Sequence, residues 1–341
     1  MNISIKRFLI LSNLIVGNAL GAMAQTPVTG DVRSVASGNW SNTGATSIWE
    51  EYRGGYGGWK VRSAVNVGAD SINMRKPGYN ASAWLKATVP GTIFGDHVNA
   101  GLEPDPGFSD NIAKVDASKY NQKFWYRTEF AVPVSYKGKR IWLNFNGVNK
   151  IGEIYINNSK LGGLKGFLQR GHYDITKLVN PTGVNVVAVL IYPMGDNFNN
   201  NEMPSYMGAN GWDWTPKTPG KSIGISDKVY LSASSDVTIV DPWIRTKELL
   251  ANNTSAKMTF TTSLKNHADV ARSVVVTGTI NPGNITVSAT VPLKAKQLLA
   301  LNYGDFIMNS VKLWWPNGYG DPNLYTLKLV CKIGGEVSDS T

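Results

Sequence analysis

The feature of this sequence that most limits its fold is a two-residue alternation of apolar and polar side chains, repeated in short runs. Successive side chains of an extended strand point to opposite faces, so this period predicts β-strands. In residues 124–132 one face carries Phe124, Tyr126, Thr128, Phe130 and Val132. Residues 141–145 and 154–156 alternate in the same way. Residues 184–191 instead form a nearly continuous apolar run, which is typical of a strand covered on both faces.

Helical periodicity is weak throughout the chain. No stretch of twelve or more residues repeats apolar side chains at helical spacing, and one short helical turn is expected near residues 92–100. We therefore predict an all-β protein. The aromatic pair Trp125-Tyr126 is expected to fill the space between two sheets.

Turn sequences separate the strands and divide the chain. Asn157-Asn158 is expected at the tip of a hairpin. After residues 232–236 the strands become shorter and more regular, with turns such as Asn281-Pro282-Gly283-Asn284 between them, which is typical of an immunoglobulin-like sandwich. A length of 341 residues fits two domains. We predict a larger β-sandwich over residues 25–236 and an immunoglobulin-like sandwich over 237–341.

The first 24 residues have the pattern of a secretory signal peptide. Lys6 and Arg7 precede an apolar core over residues 8–20, and Ala22-Met23-Ala24 gives a small-residue cleavage site before Gln25. The alternative is a membrane anchor, but the segment is short for a bilayer span and no stop-transfer pattern follows it. We therefore expect cleavage after Ala24 and a secreted or periplasmic protein.

Composition argues against several classes of partner and cofactor. The formal net charge is +10, but the basic residues are scattered and no nucleic-acid-binding motif accompanies them, so no nucleic-acid partner is expected. Cys331 is the single cysteine and the chain has three histidines, which leaves no internal disulfide and little for a metal site. We expect neither metal nor cofactor. Beyond residue 24 no apolar run is long enough to cross a bilayer.

The segment Trp212-Asp213-Trp214 is the strongest candidate for binding a ligand. Indole rings stack on the apolar C–H face of a pyranose, and a carboxylate between them can accept hydrogen bonds from vicinal hydroxyls. Gly211 and Pro216 favour a loop rather than a strand. The alternative is structural, with both tryptophans covering the core and Asp213 capping a turn. Spacing alone does not decide between the two.

Several segments resemble the N-terminal half of enzymes of glycoside hydrolase family 2, in particular the β-mannosidase and exo-β-glucosaminidase branch. They occur in the family's order and cover nearly all of the chain after residue 24. In chain order they are Val89-Pro90-Gly91-Thr92, Pro104-Asp105-Pro106, Trp125-Tyr126-Arg127, Leu143-Asn144-Phe145-Asn146-Gly147-Val148, Asp174-Ile175-Thr176, Asn185-Val186-Val187-Ala188-Val189, Asn210-Gly211-Trp212-Asp213-Trp214-Thr215-Pro216 with Gly224-Ile225, and Leu313-Trp314-Trp315-Pro316-Asn317-Gly318-Tyr319-Gly320 with Leu324-Tyr325.

The resemblance implies a galactose-binding-like jelly-roll sandwich followed by an immunoglobulin-like sandwich. It also implies that the loop with Asp213, Trp212 and Trp214 reaches toward a sugar pocket, and that Trp314-Trp315-Pro316 packs between domains. Members hydrolyse β-glycosides with retention, using two glutamates on a (β/α)8 barrel of about 250 residues. That barrel and the last strand of the second sandwich would follow Thr341.

We therefore expect the N-terminal, non-catalytic portion of a secreted exo-β-glycosidase, with no catalytic residue of its own. Its expected partners are the absent barrel and a terminal β-linked hexose or hexosamine, with β-mannoside and β-glucosaminide as the leading substrates. The pair Asn201-Glu202 resembles the family's Asn-Glu motif, but it lies in an asparagine-rich loop and is not expected to be catalytic. Two alternatives are a stand-alone secreted carbohydrate-binding module that uses Trp212 and Trp214, and a structural or adhesive surface domain.

Overall fold

The computed structural model describes residues 58–194, 216–250 and 253–341, together with the backbone of a short strand at Ala45–Ser47. β-Strands are the main regular structure of these residues, and the longest helix among them has seven residues. The prediction of an all-β protein is therefore confirmed. Contacts divide the chain into two compact units, one of them Thr46–Leu231 and the other containing Ser232–Thr341.

The first unit is built from two sheets. Its strands are β1 (Ala45–Ser47), β2 (Lys60–Ser63), β3 (Leu85–Lys86), β4 (Phe124–Ala131), β5 (Arg140–Phe145), β6 (Ile151–Ile156), β7 (Ser159–Lys165), β8 (Gly171–Asp174), β9 (Val184–Ile191) and β10 (Val229–Ser234). One sheet has six strands in the order β3-β2-β4-β9-β6-β7, and the other has four in the order β1-β10-β5-β8.

Short helical segments lie between these strands. The α-helices are α1 (Ala64–Val67), α2 (Ile93–Asn99) and α3 (Asn111–Lys114), and the 3-10 turns are Gly68–Ser71, Asn73–Arg75, Ala117–Tyr120, Val134–Tyr136 and Pro219–Ser222. Helix α2 confirms the helical turn expected near residues 92–100. The N-cap residue before Ile93 is Thr92, whose side-chain oxygen accepts a hydrogen bond from the Gly95 amide at 3.0 Å.

The six-stranded sheet is covered on both faces around β4 and β9. On one face Trp125 and Leu190 pack with Met74 and Trp84, which belong to the irregular segment between β2 and β3. On the opposite face Tyr126 is fully buried, and its ring meets Trp59 edge-on. The aromatic pair expected between two sheets is thus divided, because adjacent residues of a strand cannot share a face.

Two other local predictions for the first unit are confirmed. Strand β9 is buried at every residue after Val184, as expected for a strand with both faces covered. The turn between β6 and β7 is formed by Asn157 and Asn158 with φ angles of 46° and 71°. Asparagine tolerates this left-handed conformation better than most residues, which is why it occurs at such hairpin tips.

The second unit is a sandwich of two antiparallel sheets. Its strands are β11 (Val237–Leu250), β12 (Ser255–Asn266), β13 (Arg272–Asn281), β14 (Ile285–Leu293), β15 (Leu298–Asn309), β16 (Thr326–Ile333) and β17 (Glu336–Ser340). The sheet orders are β11-β12-β15 and β14-β13-β16-β17. Seven strands among the described residues is the number in a constant-type immunoglobulin sandwich.

The core of the second unit contains side chains from both sheets. Phe260 and Met258 of β12 belong to the same buried cluster as Val276 of β13 and Cys331 of β16. Burial raises the pKa of the Cys331 thiol well above its usual range, so this free cysteine acts as a small apolar core residue. The domain boundary at 236/237, the signal peptide over 1–24 and the missing last strand stay predictions. Within the described ranges, no helix is both long and apolar enough to cross a bilayer.

Candidate functional site

The residues predicted to contact sugar, Trp212, Asp213 and Trp214, lie outside the described residues, as does Asn201-Glu202. Their roles therefore stay predictions. What the structure describes is the base of the segment that carries them, from Met194 on one side to Pro216 on the other.

One buried lysine joins the two ends of this segment. Lys221 lies in the turn that follows Pro216, and its side chain is largely buried. Its Nζ donates a hydrogen bond to the carbonyl oxygen of Met194 at 3.4 Å, and Met194 is itself buried. The end of the chain that enters the segment is thus held to the end that leaves it.

Asn149, which lies between β5 and β6, holds the same turn at Pro219–Ser222 through its side chain and its backbone. Its side-chain Nδ2 donates to the carbonyl oxygens of Lys221 at 3.2 Å and Ser222 at 2.8 Å. Its backbone also pairs with Gly224, with N···O distances of 2.9 and 3.1 Å. Because Asn149 is fully buried, these bonds are made away from water, where losing them is costly.

A second pair of backbone bonds holds the turn to the loop before α2. The Gly91 amide donates to the Ile225 carbonyl at 2.9 Å, and the Ile93 amide donates to the Ile223 carbonyl at 3.0 Å. A Cβ at Gly224 would lie 2.4 Å from the Gly91 carbonyl oxygen, so only glycine permits this approach. Two motifs of the resemblance, Val89-Pro90-Gly91-Thr92 and Gly224-Ile225, therefore meet at the base of the candidate sugar loop.

Tyr120 supports the turn from another side. A Cβ at Gly220 would lie 2.9 Å from Cβ of Tyr120, so the glycine again permits a close approach. The Tyr120 ring meets Phe94 and His97 edge-on, and its hydroxyl donates to Glu103 at 3.3 Å. Burial and the neighbouring Glu103 raise the pKa of Tyr120 well above its usual range, so the hydroxyl stays protonated and keeps donating.

Asp96 is a buried carboxyl beside this base. Its Oδ1 accepts a hydrogen bond from the Thr88 amide at 2.7 Å, and its Oδ2 accepts from the Tyr126 hydroxyl at 3.4 Å. Burial raises the pKa of Asp96 to about 6, although the hydrogen bonds from Thr88 and Tyr126 act in the opposite direction. Asp96 is only 1% exposed, so we assign it a structural role in holding the loop before α2.

The two tryptophans of the Trp314-Trp315-Pro316 motif lie in the loop between β15 and β16. Trp314 and Trp315 are both partly exposed, and a Cβ at Gly320 would lie 2.6 Å from the Trp315 ring. The Trp315 amide donates to the Asp321 carbonyl at 3.0 Å, which closes the loop. Their predicted packing between domains stays a prediction. Across the part of the chain that the structure describes, no three His, Cys, Asp or Glu side chains are grouped so that they could hold a metal ion.

Sequence reasoning had identified the motifs of this base without placing them together. The glycines at positions 91 and 224 were the available signal, since a glycine inside a strand or tight loop often marks a close backbone approach. Asn149, Lys221 and Asp96 were not identified. Nothing local distinguishes them, because their roles depend on partners that are distant in the sequence.

Comparison with known proteins agrees with this arrangement. Residues 59–227 match the family model described as a glycosyl hydrolase 2 galactose-binding domain-like domain, and residues 237–341 match the model of glycosyl hydrolases family 2. The two matches together cover most of the chain.

The curated relatives are longer enzymes. The exo-β-D-glucosaminidase of Amycolatopsis orientalis is 29% identical over 287 residues, which is 83% of this chain and 26% of the relative. The mannosylglycoprotein endo-β-mannosidase of Lilium longiflorum is 25% identical over 306 residues, covering 82% of this chain and 32% of the relative. This chain therefore spans about a quarter to a third of the length of these relatives.

Solved structures agree with the curated relatives. The exo-chitosanase of Amycolatopsis orientalis superposes with a TM-score of 0.75 at 28% identity, over 87% of this chain and 33% of that one. The β-D-mannosidase of Dictyoglomus thermophilum has the same fold, with a TM-score of 0.63 at 22% identity over 82% of this chain. The galactose-binding-like and immunoglobulin-like domains thus confirm the resemblance, and this chain belongs to glycosyl hydrolase family 2 through the non-catalytic N-terminal domains of its exo-glycosidases.

Proposed function

We propose that this chain shapes the sugar pocket of a secreted, retaining exo-β-glycosidase whose catalytic barrel lies outside the 341 residues. In this proposal Asp213 accepts hydrogen bonds from hydroxyls of the terminal sugar, and one or both of Trp212 and Trp214 form a wall against its C–H face. The two catalytic glutamates belong to the barrel. The chain itself contributes substrate positioning rather than bond cleavage.

The observation that carries this proposal is the base of the segment between Met194 and Pro216. Lys221 and Asn149 join that base through buried hydrogen bonds, and Gly91 and Gly224 close it by backbone contact. A segment that only covered the core would not require its base to be held from three directions. A segment that positions polar groups at a sugar would, since binding depends on geometry fixed in advance.

The relatives suggest which sugar to test first. The relatives named above include an exo-β-D-glucosaminidase and an endo-β-mannosidase, and the Amycolatopsis orientalis exo-chitosanase has been crystallised with PNP-β-D-glucosamine. A β-linked glucosamine at a chain end is therefore our first substrate, and a β-mannoside is the second.

The test uses the protein made from the whole reading frame, including any codons after that for Thr341. We expect this protein to hydrolyse an aryl β-D-glucosaminide. Asp213→Ala should lower kcat/KM by about 10- to 100-fold, because each hydrogen bond to a charged group contributes about 1.5–3 kcal/mol. Asp70→Ala is the matched control, since it removes a carboxylate from the exposed surface of the same unit and should leave kcat/KM unchanged.

Two outcomes would count against the proposal. Equal kcat/KM for Asp213→Ala and the parent would remove Asp213 from the pocket. A stop codon directly after Thr341 would overturn the proposal that this chain is part of an enzyme and would favour a stand-alone carbohydrate-binding module. That alternative predicts that the chain binds glucosamine oligosaccharides and that Trp214→Ala abolishes the binding. Secretion is tested separately, by sequencing the exported protein, which should begin at Gln25.

A further inference from the structure

Strand β14 forms one edge of the four-stranded sheet of the second unit. On one side it pairs with β13 without a break over its nine residues, from Ile285 with Ile280 to Leu293 with Arg272. Among the strands that the structure describes, none pairs with its other side. The backbone N–H and C=O groups along a free edge are a ready template for another strand.

The other edge strands of the described residues are protected against such pairing by short length, charge, register shifts or cover. Strands β1, β3 and β8 have three, two and four residues. Strand β7 contains Lys160 and Lys165. Strands β11 and β15 share the ion pair of Lys247 with Asp305, and both have register shifts. Strand β17 is bonded to β11, where Asp339 accepts a backbone hydrogen bond at 2.7 Å.

Strand β14 lacks these protections. None of its nine residues is charged, and most of them are β-branched residues that favour extended strands. On the side that faces the core, Val291 and Leu293 are buried, whereas Ile285, Val287 and Ala289 are only partly buried. Part of the apolar face of β14 is therefore still open to solvent.

Pro292 indicates which backbone groups of β14 point to the free side. Proline has no N–H, so within a sheet it is found where that position faces away from the neighbouring strand. Pro292 pairs with Ser273 of β13, and Thr290 and Ser288 follow it at the two-residue period of the ladder, so their N–H groups also point to the free side. The hydroxyls of Ser288 and Thr277 lie 3.1 Å apart, as expected for closely spaced side chains of a pair without backbone hydrogen bonds.

We propose that β14 pairs antiparallel with β14 of a second copy of this chain, so that two four-stranded sheets join into one continuous sheet. A two-fold axis at Ala289 gives the register in which all nine residues find a partner. Such a dimer is closed, because each copy uses the one described edge that lacks protection. This proposal does not depend on the hydrolase activity proposed above.

The apolar side of β14 is complementary to itself in this register. Ile285 lies opposite Leu293 of the second copy, and Val287 lies opposite Val291, so apolar side chains meet on the side that faces the core. Ala289 lies opposite its own equivalent, and its small side chain permits the close approach of strands at a pair without backbone hydrogen bonds. The second copy therefore covers the part of the apolar face that the single chain leaves open.

The polar side and the ends of β14 also fit a second copy. Ser288 lies opposite Thr290, and the first charged residue after the strand, Lys294, lies opposite Asn284, so no like charges meet. A register shifted by one residue would place apolar side chains on the polar face, and a shift by two would leave strand ends unpaired. The neutral, symmetric pattern thus favours a second copy over a charged peptide.

The test is sedimentation equilibrium of the full chain over about a hundredfold range of concentration. We expect a reversible equilibrium between monomer and dimer. Thr290→Lys should raise the dimer Kd by about tenfold or more, because a charge opposes pairing at an edge and the two-fold axis brings the substitution into the interface twice. Thr290 is exposed, so the variant should fold as the parent does, which hydrogen exchange of β13 checks.

A mixture of two variants tests the register. Because Thr290 of one copy lies opposite Ser288 of the other, a chain with Thr290→Lys and a chain with Ser288→Glu should form a mixed dimer. Its Kd should be lower than that of either variant alone by about threefold or more, since opposite charges then face each other across the strands. A mixed dimer no tighter than the separate variants would overturn the proposed register.

Val275→Lys is the matched control. Val275 pairs with Thr290 and is 42% exposed, but it lies in β13, one strand inside the edge. This variant should leave the dimer Kd within about twofold of the parent value. Equal weakening by Val275→Lys and Thr290→Lys would reduce the effect to general electrostatics and overturn the proposal. A chain that stays monomeric over the whole range, or one that forms open-ended polymers instead of a dimer, would overturn it as well.

Discussion

The two units of this protein bury their strands in different ways. In the first unit, every residue of β9 after Val184 is buried, so the strand has no exposed face. In the second unit, β14 alternates between more and less buried positions, and only Val291 and Leu293 near its end are fully buried. Both strands belong to antiparallel sheets, so strand geometry does not cause the difference.

The difference comes from what covers the second face of the sheet. The irregular segment between β2 and β3 carries Met74 and Trp84, and these pack on the face of the six-stranded sheet that holds Trp125 and Leu190. Among the described residues, no such segment covers the outer face of β14. The core cluster of the second unit is formed by side chains of its two sheets. A continuous apolar run therefore signals an additional layer, whereas strict alternation signals a simple sandwich.

The largest expected effect tests this contrast in neighbouring residues. The side chains of Leu190 and Ile191 point to opposite faces of β9. Replacing either of them by alanine should lower the free energy of unfolding of the first unit by about 2–5 kcal/mol. In β14, Leu293→Ala should have a similar cost, whereas Thr290→Ala, which is exposed, should stay within about 0.5 kcal/mol. Urea unfolding monitored by hydrogen exchange would resolve the two units.

A cost below about 1 kcal/mol for Leu190→Ala would contradict the covered-face interpretation, since it would mean that Met74 and Trp84 do not exclude water there. A large cost for Thr290→Ala would contradict the simple sandwich. Because the chain has two units, each cost must be read from the exchange of amides in its own unit and not from a single global transition.

The next effect concerns two carboxyl groups whose pKa values move in opposite directions. Burial raises the pKa of Asp96 in the first unit to about 6, whereas Lys247 and Lys257 lower the pKa of the exposed Asp305 in the second unit. A raised folded-state pKa means that the folded state holds the proton more tightly than the unfolded state. The stability due to Asp96 is therefore present below pH 4 and lost as the pH rises to about 6.

Asp96→Asn should remove this decline, which amounts to on the order of 3 kcal/mol for a difference of about two pKa units. Asp305→Asn is the control of opposite sign, because the contribution of Asp305 is present at neutral pH and lost as the pH falls below its usual pKa. Unfolding between about pH 2 and about pH 7 measures both, because the Asp96 decline lies above pH 4 and the Asp305 decline lies below it. A parent and an Asp96→Asn variant with the same pH dependence would show that Asp96 is not desolvated.

The sequence was sufficient for the class of fold because that class depends on local patterns. Alternation gave the strands, the Asn157-Asn158 pair gave a hairpin tip, and the continuous run over residues 184–191 gave a doubly covered strand. The prediction that Trp125 lies between the two sheets was wrong, because alternation tells which residues share a face but not what packs against that face. The cover comes from a segment some fifty residues earlier with no strand pattern of its own.

The candidate site was less accessible from the sequence. The motifs around Gly91 and Gly224 were recognised separately, but their contact depends on a register that only the folded chain provides. Local patterns report which residues can form strands, whereas binding sites depend on which ends of those strands meet.

A smaller effect compares two buried asparagines, one in each unit. Nδ2 of Asn149 donates to the carbonyls of Lys221 and Ser222, and Nδ2 of Asn266 donates to those of Val270 and Lys294. Replacing either by alanine removes two hydrogen bonds made by a fully buried side chain and should cost about 1–3 kcal/mol. Hydrogen exchange should report the loss locally, near residues 221–225 for Asn149→Ala and near 268–270 for Asn266→Ala.

The consequence for function should differ between these two variants. Asn149→Ala should also weaken any glycan binding by the segment between Met194 and Pro216, because it loosens the base of that segment. Asn266→Ala should leave such binding unchanged, since Asn266 lies in the other unit. Equal loss of binding in both variants would point to global destabilisation rather than to the base of the loop.

The smallest effect distinguishes the two kinds of asparagine found at turns. Asn157 and Asn284 both have positive φ, at 46° and 51°. Asn157 also donates to the Leu178 carbonyl and accepts from the Val186 amide, at 2.9 Å in both cases. Because glycine adopts positive φ freely, Asn284→Gly should change the free energy of unfolding by less than about 0.5 kcal/mol, whereas Asn157→Gly should cost about 1–2 kcal/mol through the lost hydrogen bonds. If urea unfolding gave the two substitutions the same small cost, backbone conformation alone would explain asparagine at both turns, and the side chain of Asn157 would add nothing to the first unit.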